Sequence, residues 1–423
     1  MDVTINPISS VRQEAAIEVP ASELRPLFDE AYEAYRRKLE LPGFRKGKAP
    51  LELVKKRFGE AIEQESIERA ADEFYRKAME ERSISPVGTP AVVEMDFRRG
   101  ERLRFTIKYE VKPEIVLGEY RRLRVEKPVY VITDRDVQAE VEHLRRANST
   151  RTEVRAVTDP EHLVTADLQE LDETGTPLIG RKSSGMRFLL SDPTLAPGLR
   201  DALLGAETGR TVESEIEMGE GEQTRKGRFA VAVTKIEKVH LPEVDDAFVK
   251  KITQEKLAST ADFLADVRRD LERYGSEQSE RKLRDAIADE VVRLHPCEVP
   301  DSMVDGFLDG FVEELKSRSR DRQLPRNFDE GNFRRESRPL AVWQSRWLLL
   351  REAIAAREHI GVTDEDLDRL AEAEAERTGI GKDRIREYYK RSPGVAERLL
   401  SDKILAFLRQ QAEIREVEVP AAR

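Results

Sequence analysis

Apolar and polar residues near the start of the chain follow first a helical and then a strand period. Apolar residues recur every three or four positions between residues 24 and 35, which predicts a helix that ends before Pro42-Gly43. Pro50 suits the first turn of a second helix, and Gly59 is predicted to separate it from a third. The strands predicted after these helices are Val92–Met95 and Leu103–Val111. Residues 1–112 are therefore predicted to form an α+β domain.

The pattern changes after residue 112. An extended stretch and then a helix occupy residues 113–150, which are predicted to be a linker arm packing with the C-terminal domain. Between residues 151 and 240, apolar and polar residues alternate with the period of two that is typical of strands. The alternating apolar sets include Val164, Ala166 and Leu168, and Phe229, Val231 and Val233. Residues 151–240 are therefore predicted to be a small β-rich domain.

Residues 241–423 are predicted to be almost entirely helical. Their apolar residues form narrow stripes between broad charged faces, which is typical of extended arms with small local cores. Thr363 and Asp366 have the spacing of a capping box at the start of a helix. The predicted fold is therefore α+β and multidomain, with an α+β head, a small β-rich middle domain and an extended all-α C-terminal domain with arms.

The composition narrows the class of protein. Of the 423 residues, 37% are charged and 6% are aromatic, and 73 basic against 83 acidic residues give a net charge of −10. A chain of this length suggests two to four domains, because single cores rarely exceed roughly 250–300 residues. An acidic chain is not expected to wrap nucleic acid along its whole length.

Cysteine and histidine indicate neither a disulfide nor a metal centre. Cys297 is the single cysteine, so an intrachain disulfide is excluded and a reducing compartment is expected. His295 and Cys297 have no partner cluster, so no metal site is predicted. The apolar run Trp347–Leu350 is far shorter than the ~20 residues that a membrane helix needs. The chain is expected to be soluble and cytoplasmic, without a membrane partner.

The most informative segment is a basic loop between the first two predicted helices, Gly43-Phe44-Arg45-Lys46-Gly47-Lys48-Ala49-Pro50. Between Arg36 and Arg57, nine basic and two acidic residues leave a local charge of +7. A phenylalanine at the tip of a cationic loop suits a ribonucleoprotein surface, because the cations meet phosphates and the ring fills an apolar slot.

Other interpretations of this loop remain open. A phosphate-binding P-loop is disfavoured, because the spacing is one residue short, Ala49 has no hydroxyl for Mg²⁺, and the segment follows a helix. A solvated charged turn without a partner is the common outcome for such runs. An RNA-binding factor unrelated to folding is a further possibility, and it depends on the +7 patch alone.

The loop strongly resembles the ribosome-docking loop of the trigger factor family of bacterial chaperones. The family pattern G-F-R-x-G-x-x-P is met at every fixed position, and the segments Leu241–Phe248, Val299–Val304 and Leu399–Val419 also resemble parts of the family. The resemblance implies that docking involves Gly43, Phe44, Arg45, Lys46, Gly47 and Lys48.

This resemblance implies an ATP-independent chaperone that needs no cofactor. The implied partners are large-subunit proteins and rRNA at the ribosomal tunnel exit, together with nascent and unfolded polypeptides. A homodimer away from the ribosome is also implied.

An FKBP-like middle domain with peptidyl-prolyl isomerase activity is implied as well. Such a pocket lowers a barrier of ~18–20 kcal/mol by favouring the twisted X-Pro amide. Here the pocket positions carry Leu168, Leu195 and Leu199, with Phe229 as the matching aromatic, and residues 219–227 contain no Tyr or Trp. Because leucines do not rebuild an aromatic box, weak or absent activity is expected. An active isomerase is the alternative function.

Five apolar residues of the predicted C-terminal helices are candidates for client binding: Met303, Phe307, Phe311, Trp343 and Trp347. Their helical spacing makes core packing the default interpretation. In the family that the chain resembles, helical arms form a cradle for unfolded polypeptide. Scattered apolar patches on such arms would give weak, rapidly exchanging contacts.

Overall fold

The computed structural model of the chain describes residues 1–42, 44–172, 174–218 and 225–421. In chain order the elements are β1 (Asp2–Pro7), β2 (Arg12–Pro20), α1 (Ala21–Lys38), α2 (Leu51–Glu81), β3 (Pro86–Arg98), β4 (Arg102–Val111), β5 (Arg124–Val131), α3 (Asp134–Ala147), β6 (Thr150–Val154), β7 (His162–Leu171), β8 (Pro177–Leu189), α4 (Pro197–Leu203), β9 (Thr211–Met218), β10 (Arg225–His240), α5 (Asp246–Ile252), α6 (Thr260–Leu294), α7 (Asp301–Arg318), α8 (Glu330–Glu358), α9 (Asp364–Thr378), α10 (Lys382–Lys390), α11 (Pro393–Gln411) and β11 (Glu413–Pro420).

Close packing of the backbone divides the chain into two units. The first contains Met1–Lys127 and Arg281–Glu416, and the second contains Pro128–Glu280 and the residues from Val417 onward. The four-part division 1–112, 113–150, 151–240 and 241–423 stays a prediction. The predicted fold class, α+β and multidomain with a helical C-terminal region, is confirmed.

The N-terminal part of the first unit, here called the head (residues 1–112), is a sheet covered by two helices. Its four antiparallel strands have the order β1-β2-β4-β3. Strands β2 and β4 bury alternate residues, such as Ile17 on β2 and Phe105 on β4, and these pack with apolar residues of α1 and α2. Both predicted strands are present, and Val92–Met95 is the middle of a longer strand, β3.

The predicted helix break at Gly59 was wrong. Helix α2 continues from Leu51 to Glu81, and Gly59 is buried within it. A Cβ on Gly59 would lie 2.6 Å from Nη2 of Arg99, so the glycine provides room for a side chain from the β3–β4 turn. Helix α1 begins at Ala21, directly after Pro20.

The helical part of the first unit has its own core. Buried residues of α6, α8 and α11 meet there, including Ile287, Leu350 and Ile404. Helix α9 begins with the predicted capping box, because Thr363 and Asp366 exchange side-chain-to-backbone hydrogen bonds. Strand β11 was not predicted; it pairs with β5 and makes the C-terminal region not purely helical.

The second unit contains the β-rich domain. Strands β6, β10, β7 and β8 lie side by side, and β9 also pairs with β10. The alternation predicted from sequence is visible in β10, where Phe229, Val231 and Val233 all enter one core. No described helix of the protein is both long and apolar enough to cross a membrane.

Candidate functional site

The basic loop between α1 and α2 is a compact turn held by its own backbone. The N–H of Phe44 donates to the carbonyl of Leu41 (3.0 Å), and that of Lys48 donates to Arg45 (2.9 Å). Gly47 donates to Leu39 (3.3 Å) with φ at +72°, a conformation that L-residues with a Cβ rarely adopt. A Cβ on Gly47 would also lie 3.2 Å from the carbonyl oxygen of Arg37. Gly43 lies outside the described residues.

The tip of this loop exposes an aromatic ring and three cations. Phe44 is 42% exposed, and Arg45, Lys46 and Lys48 are exposed as well. Lys46 pairs with Glu40 at 2.8 Å, whereas Arg45 and Lys48 have no ion pair among the described residues. Buried Leu41 and Ala49 flank the tip and anchor it to the head. The loop therefore presents an exposed ring next to two cations, Arg45 and Lys48, that have no ion pair among the described residues.

A polar network joins α1 and α2, the two helices that the basic loop connects. Glu63 is buried; it accepts a hydrogen bond from the hydroxyl of Tyr32 and another from Nε of Arg99 at 2.7 Å. Burial and the contact with Glu63 raise the pKa of Tyr32 to about 12. Lys55 lies over the Tyr32 ring at 5.1 Å and pairs with Asp29 at 2.8 Å. These contacts join the two helices that carry the loop.

The β-rich domain contains a pocket of about 570 Å³. All four residues predicted for the isomerase pocket line it: Leu168, Leu195, Leu199 and Phe229. Leu199 is 2% exposed and Phe229 is 7% exposed, so both also belong to the domain core. The structure thus brings together residues from β7, α4, β10 and the segment before α4.

Sequence reasoning missed a second aromatic residue in this pocket, Phe188, which lies near the end of β8. The signal was weak, because Phe188 belongs to a strand whose other residues are mostly exposed. Charged residues also line the pocket, among them Arg181, Arg187 and Asp192. Two phenylalanines and several leucines form an apolar floor. This floor suits an apolar side chain, but it is not a fully aromatic box.

Strand β8 is shaped at the pocket by Asp167. This carboxylate accepts the N–H of Gly185 at 2.9 Å and pairs with Lys182 at 3.0 Å. The backbone hydrogen bond from Gly185, with the contact from Lys182, holds the pKa of Asp167 below its usual value. Asp167 therefore stays ionised at neutral pH and fixes the irregular strand that borders the pocket.

The five client-binding candidates separate into two groups. Phe307, Trp343 and Trp347 line a cleft of about 600 Å³ in the helical part of the first unit, here called the arm cleft. Trp347 is 9% exposed and packs in the helical core, whereas Phe307 and Trp343 are half-buried. Met303 and Phe311 are half-buried on α7 but do not line this cleft.

The arm cleft combines apolar walls with charges. Ala288 and Leu405 extend its apolar surface, and Arg351, buried beside it, is paired with Glu397. Within the described chain, no cluster of three or more His, Cys, Asp or Glu residues could hold a metal ion. His295 is instead hydrogen-bonded to the carbonyl of Val291 at 2.8 Å, and burial raises the pKa of the Cys297 thiol.

Comparisons with known proteins match nearly the whole chain. A family model described as bacterial trigger factor protein matches residues 1–144, and a model for the trigger factor C-terminus matches residues 259–410. A trigger factor of Salinibacter ruber is 32% identical over 437 residues, with 98% of this chain and 94% of that protein covered. A trigger factor of Chloroherpeton thalassium is 29% identical over 430 residues, and both chains are covered completely.

A solved structure of the trigger factor chaperone, described in terms of promiscuous substrate recognition, is 21% identical with a TM-score of 0.49, and 97% of this chain and 100% of that one are covered. The family models span both ends of the chain, and the relative from Salinibacter ruber aligns along almost its full length. These matches confirm the resemblance first seen in the basic loop, and the chain belongs to the trigger factor family.

Proposed function

We propose that this chain is an ATP-independent chaperone that docks at the ribosomal exit tunnel through residues 43–48 and holds nascent or unfolded polypeptide at the arm cleft. The class, a ribosome-associated chaperone, follows from the family. We assign docking to the basic loop and client holding to the arm cleft. We also propose that the chain is cytoplasmic and partly bound to ribosomes.

The observation that supports docking is the structured, exposed and cationic loop tip. Phe44 is 42% exposed although it sits on a short, hydrogen-bonded turn, so burial of its ring at a partner surface is favourable. Arg45 and Lys48 have no internal ion pair among the described residues and are available for rRNA phosphates or acidic side chains of ribosomal proteins. Because each phosphate contact releases counterions, ribosome binding is expected to weaken as the salt concentration rises.

Holding of clients is supported by the arm cleft. Phe307 and Trp343 are half-buried, so a bound apolar side chain can complete their burial without unfolding the helices. Charged residues such as Arg284 and Glu352 line the same cleft and keep the empty surface hydrated. A few such contacts give weak and reversible binding, so release needs no nucleotide hydrolysis.

Ribosome co-sedimentation tests the docking assignment. The variant Phe44→Ala/Arg45→Ala/Lys46→Ala is expected to lose at least about tenfold in affinity, because a ring and two cations of one interface are removed. Arg318→Ala/Arg320→Ala is the control, since it removes two exposed cations at the end of α7. Equal binding of both variants would contradict docking through the loop.

Peptidyl-prolyl isomerisation is a second candidate function, favoured by the pocket that Leu168, Leu195, Leu199 and Phe229 share with Phe188. We expect weak acceleration of proline-limited refolding, because two rings provide only part of an aromatic box. Leu195→Phe is expected to increase the rate, whereas Leu204→Phe, on an exposed residue of the same domain, is not. A wild-type rate equal to the uncatalysed rate would leave the chaperone function alone.

A homodimer away from the ribosome is proposed on the family resemblance. Sedimentation velocity over a range of protein concentrations tests it, and a monomer at every concentration would contradict it.

A further inference from the structure

Helix α7 begins beside the head, and both belong to the first unit. The hydroxyl of Ser10 donates a hydrogen bond to Glu298 at 2.7 Å. The guanidinium of Arg12 contacts the carboxylate of Asp301 and lies 3.7 Å from that of Glu110. These contacts between residues of the head and residues 298–302 are here called the head–α7 interface.

Glu110, which lies on strand β4, completes the start of α7. The N–H of Asp301 donates to Oε1 of Glu110 at 3.1 Å, and the N–H of Ser302 donates to Oε2 at 2.8 Å. The first N–H groups of a helix have no partner within it, and the side chain of the preceding residue usually accepts one of them. Here the preceding residue is Pro300, which has no acceptor. The head therefore supplies the cap that the sequence of α7 lacks, and a carboxylate suits the positive end of the helix dipole.

Strand β3 approaches α7 closely at Gly88. A Cβ on Gly88 would lie 2.4 Å from Cβ of Ser302, a separation that real Cβ atoms essentially never show. Gly88 has φ at +69°, and Gly100, in the β3–β4 turn, has φ at +76°. A Cβ on Gly100 would have no described atom within 4 Å. The two glycines thus share a backbone conformation, but only Gly88 faces α7.

The head–α7 interface is held by charges and hydrogen bonds and not by a shared apolar core. Among the described residues, the core of the head contains residues 1–111 only, and the buried core of α7 consists of Val304, Leu308 and Ala341. The side chains of Arg12 and Asp301 are 53% and 40% exposed. Because salt screens the attraction between exposed charges, the interface can be weakened while both cores stay intact.

We propose that the head–α7 interface is a salt-sensitive conformational switch. In the closed state, Glu110 caps α7, and Arg12 bridges Glu110 and Asp301. In the open state, the head and α7 separate as folded bodies, and the first two N–H groups of α7 lose their acceptor. Salt, or an anion that competes for Arg12, shifts the equilibrium towards the open state. The inference depends neither on ribosome docking nor on client binding.

Hydrogen exchange of single amides in the full-length chain tests the cap. The amides of Asp301 and Ser302 are expected to exchange at least about tenfold more slowly in wild type than in Glu110→Ala. Glu114→Ala is the control, because Glu114 is exposed and has no ion pair among the described residues. Raising potassium chloride from about 0.05 M to about 1 M is expected to bring the wild-type rates close to those of Glu110→Ala.

Single-molecule energy transfer tests the separation of the two bodies. The dyes are attached through unnatural amino acids at the exposed positions Glu80 in the head and Ser317 on α7. Wild type at low salt is expected to show one population, and a second one is expected at high salt. Gly88→Ala should show the second population already at low salt, because its Cβ clashes with Ser302. Gly100→Ala has the same backbone cost without the clash and should match wild type.

Three outcomes would overturn the proposal. In the first, the amides of Asp301 and Ser302 exchange equally fast in wild type and in Glu110→Ala, so Glu110 caps no helix in solution. In the second, neither salt nor Gly88→Ala changes the energy transfer, so other contacts hold the head. In the third, Gly88→Ala and Gly100→Ala behave alike, which would attribute the change to backbone strain in β3 instead of to α7.

Discussion

The basic loop of the head and the pocket of the β-rich domain differ in how their residues are brought together. The loop residues are consecutive, and three backbone hydrogen bonds among the described residues of 39–48 hold them. The pocket takes Leu168, Leu195 and Phe229 from separate elements, and part of its lining also belongs to the domain core. Truncation of an exposed loop side chain should therefore alter binding without affecting stability, whereas truncation of a pocket side chain should affect both.

The largest expected effect follows from truncating the pocket aromatic. Phe229→Ala should lower the free energy of unfolding of the β-rich domain by about 3–5 kcal/mol, because it leaves a cavity in the core. Phe44→Ala, the control in the loop, should change stability by less than about 0.5 kcal/mol, since Phe44 is 42% exposed. Urea unfolding of both variants measures these changes in the free energy of unfolding. Similar losses for the two would break the comparison.

The next prediction separates the contribution of the loop's shape to ribosome binding from that of its charge. Gly47→Ala keeps every cation but places a Cβ where φ is +72°, which costs about 1–2 kcal/mol. If docking needs the observed turn, ribosome affinity should fall about 5- to 30-fold, the factor that this energy represents. Gly100→Ala is the matched control, because Gly100 has φ at +76° in the β3–β4 turn. Unchanged ribosome binding of Gly47→Ala would mean that charge alone is recognised.

A smaller effect is expected for the head at alkaline pH. Tyr32 has its pKa raised from 10.0 to about 12, mainly by burial and then by Glu63. The raised value means that the contribution of Tyr32 to stability is complete below pH 10 and is lost as the pH rises towards 12. In thermal unfolding between pH 10 and pH 12, Tyr32→Phe should lose less stability than wild type, because the variant has no phenol to titrate. An identical decline in wild type and variant would contradict the assignment.

The smallest effect concerns the β-rich domain at acid pH. Lys238 donates to Asp159 at 2.6 Å and, with the N–H of Glu161, lowers the pKa of Asp159 to about 2. A lowered pKa means that this stabilisation is present above about pH 4 and is lost as the pH falls towards 2. Because Asp159 is 42% exposed, solvent screening keeps the contribution small. Asp159→Asn should be less stable than wild type at pH 6, and the difference should shrink by pH 2 in acid titrations followed by circular dichroism.

Much of the fold could be predicted because its signals are local. The capping box at Thr363 and Asp366 and the alternation of Phe229, Val231 and Val233 each lie within a few residues of chain. The exceptions have a common cause. Gly59 was expected to break a helix, but the side chain of Arg99, which is distant in sequence, explains the glycine. Strand β11 likewise exists because β5 pairs with it.

The same division applies to the candidate sites. The order and chemistry of residues 43–50 were enough to predict an exposed cationic turn and the family, because a turn and its charges are encoded in consecutive residues. The place of Phe188 in the pocket could not be predicted in this way. Burial and partnership depend on contacts between residues far apart in the chain, and those contacts exist only once helices and strands have packed together.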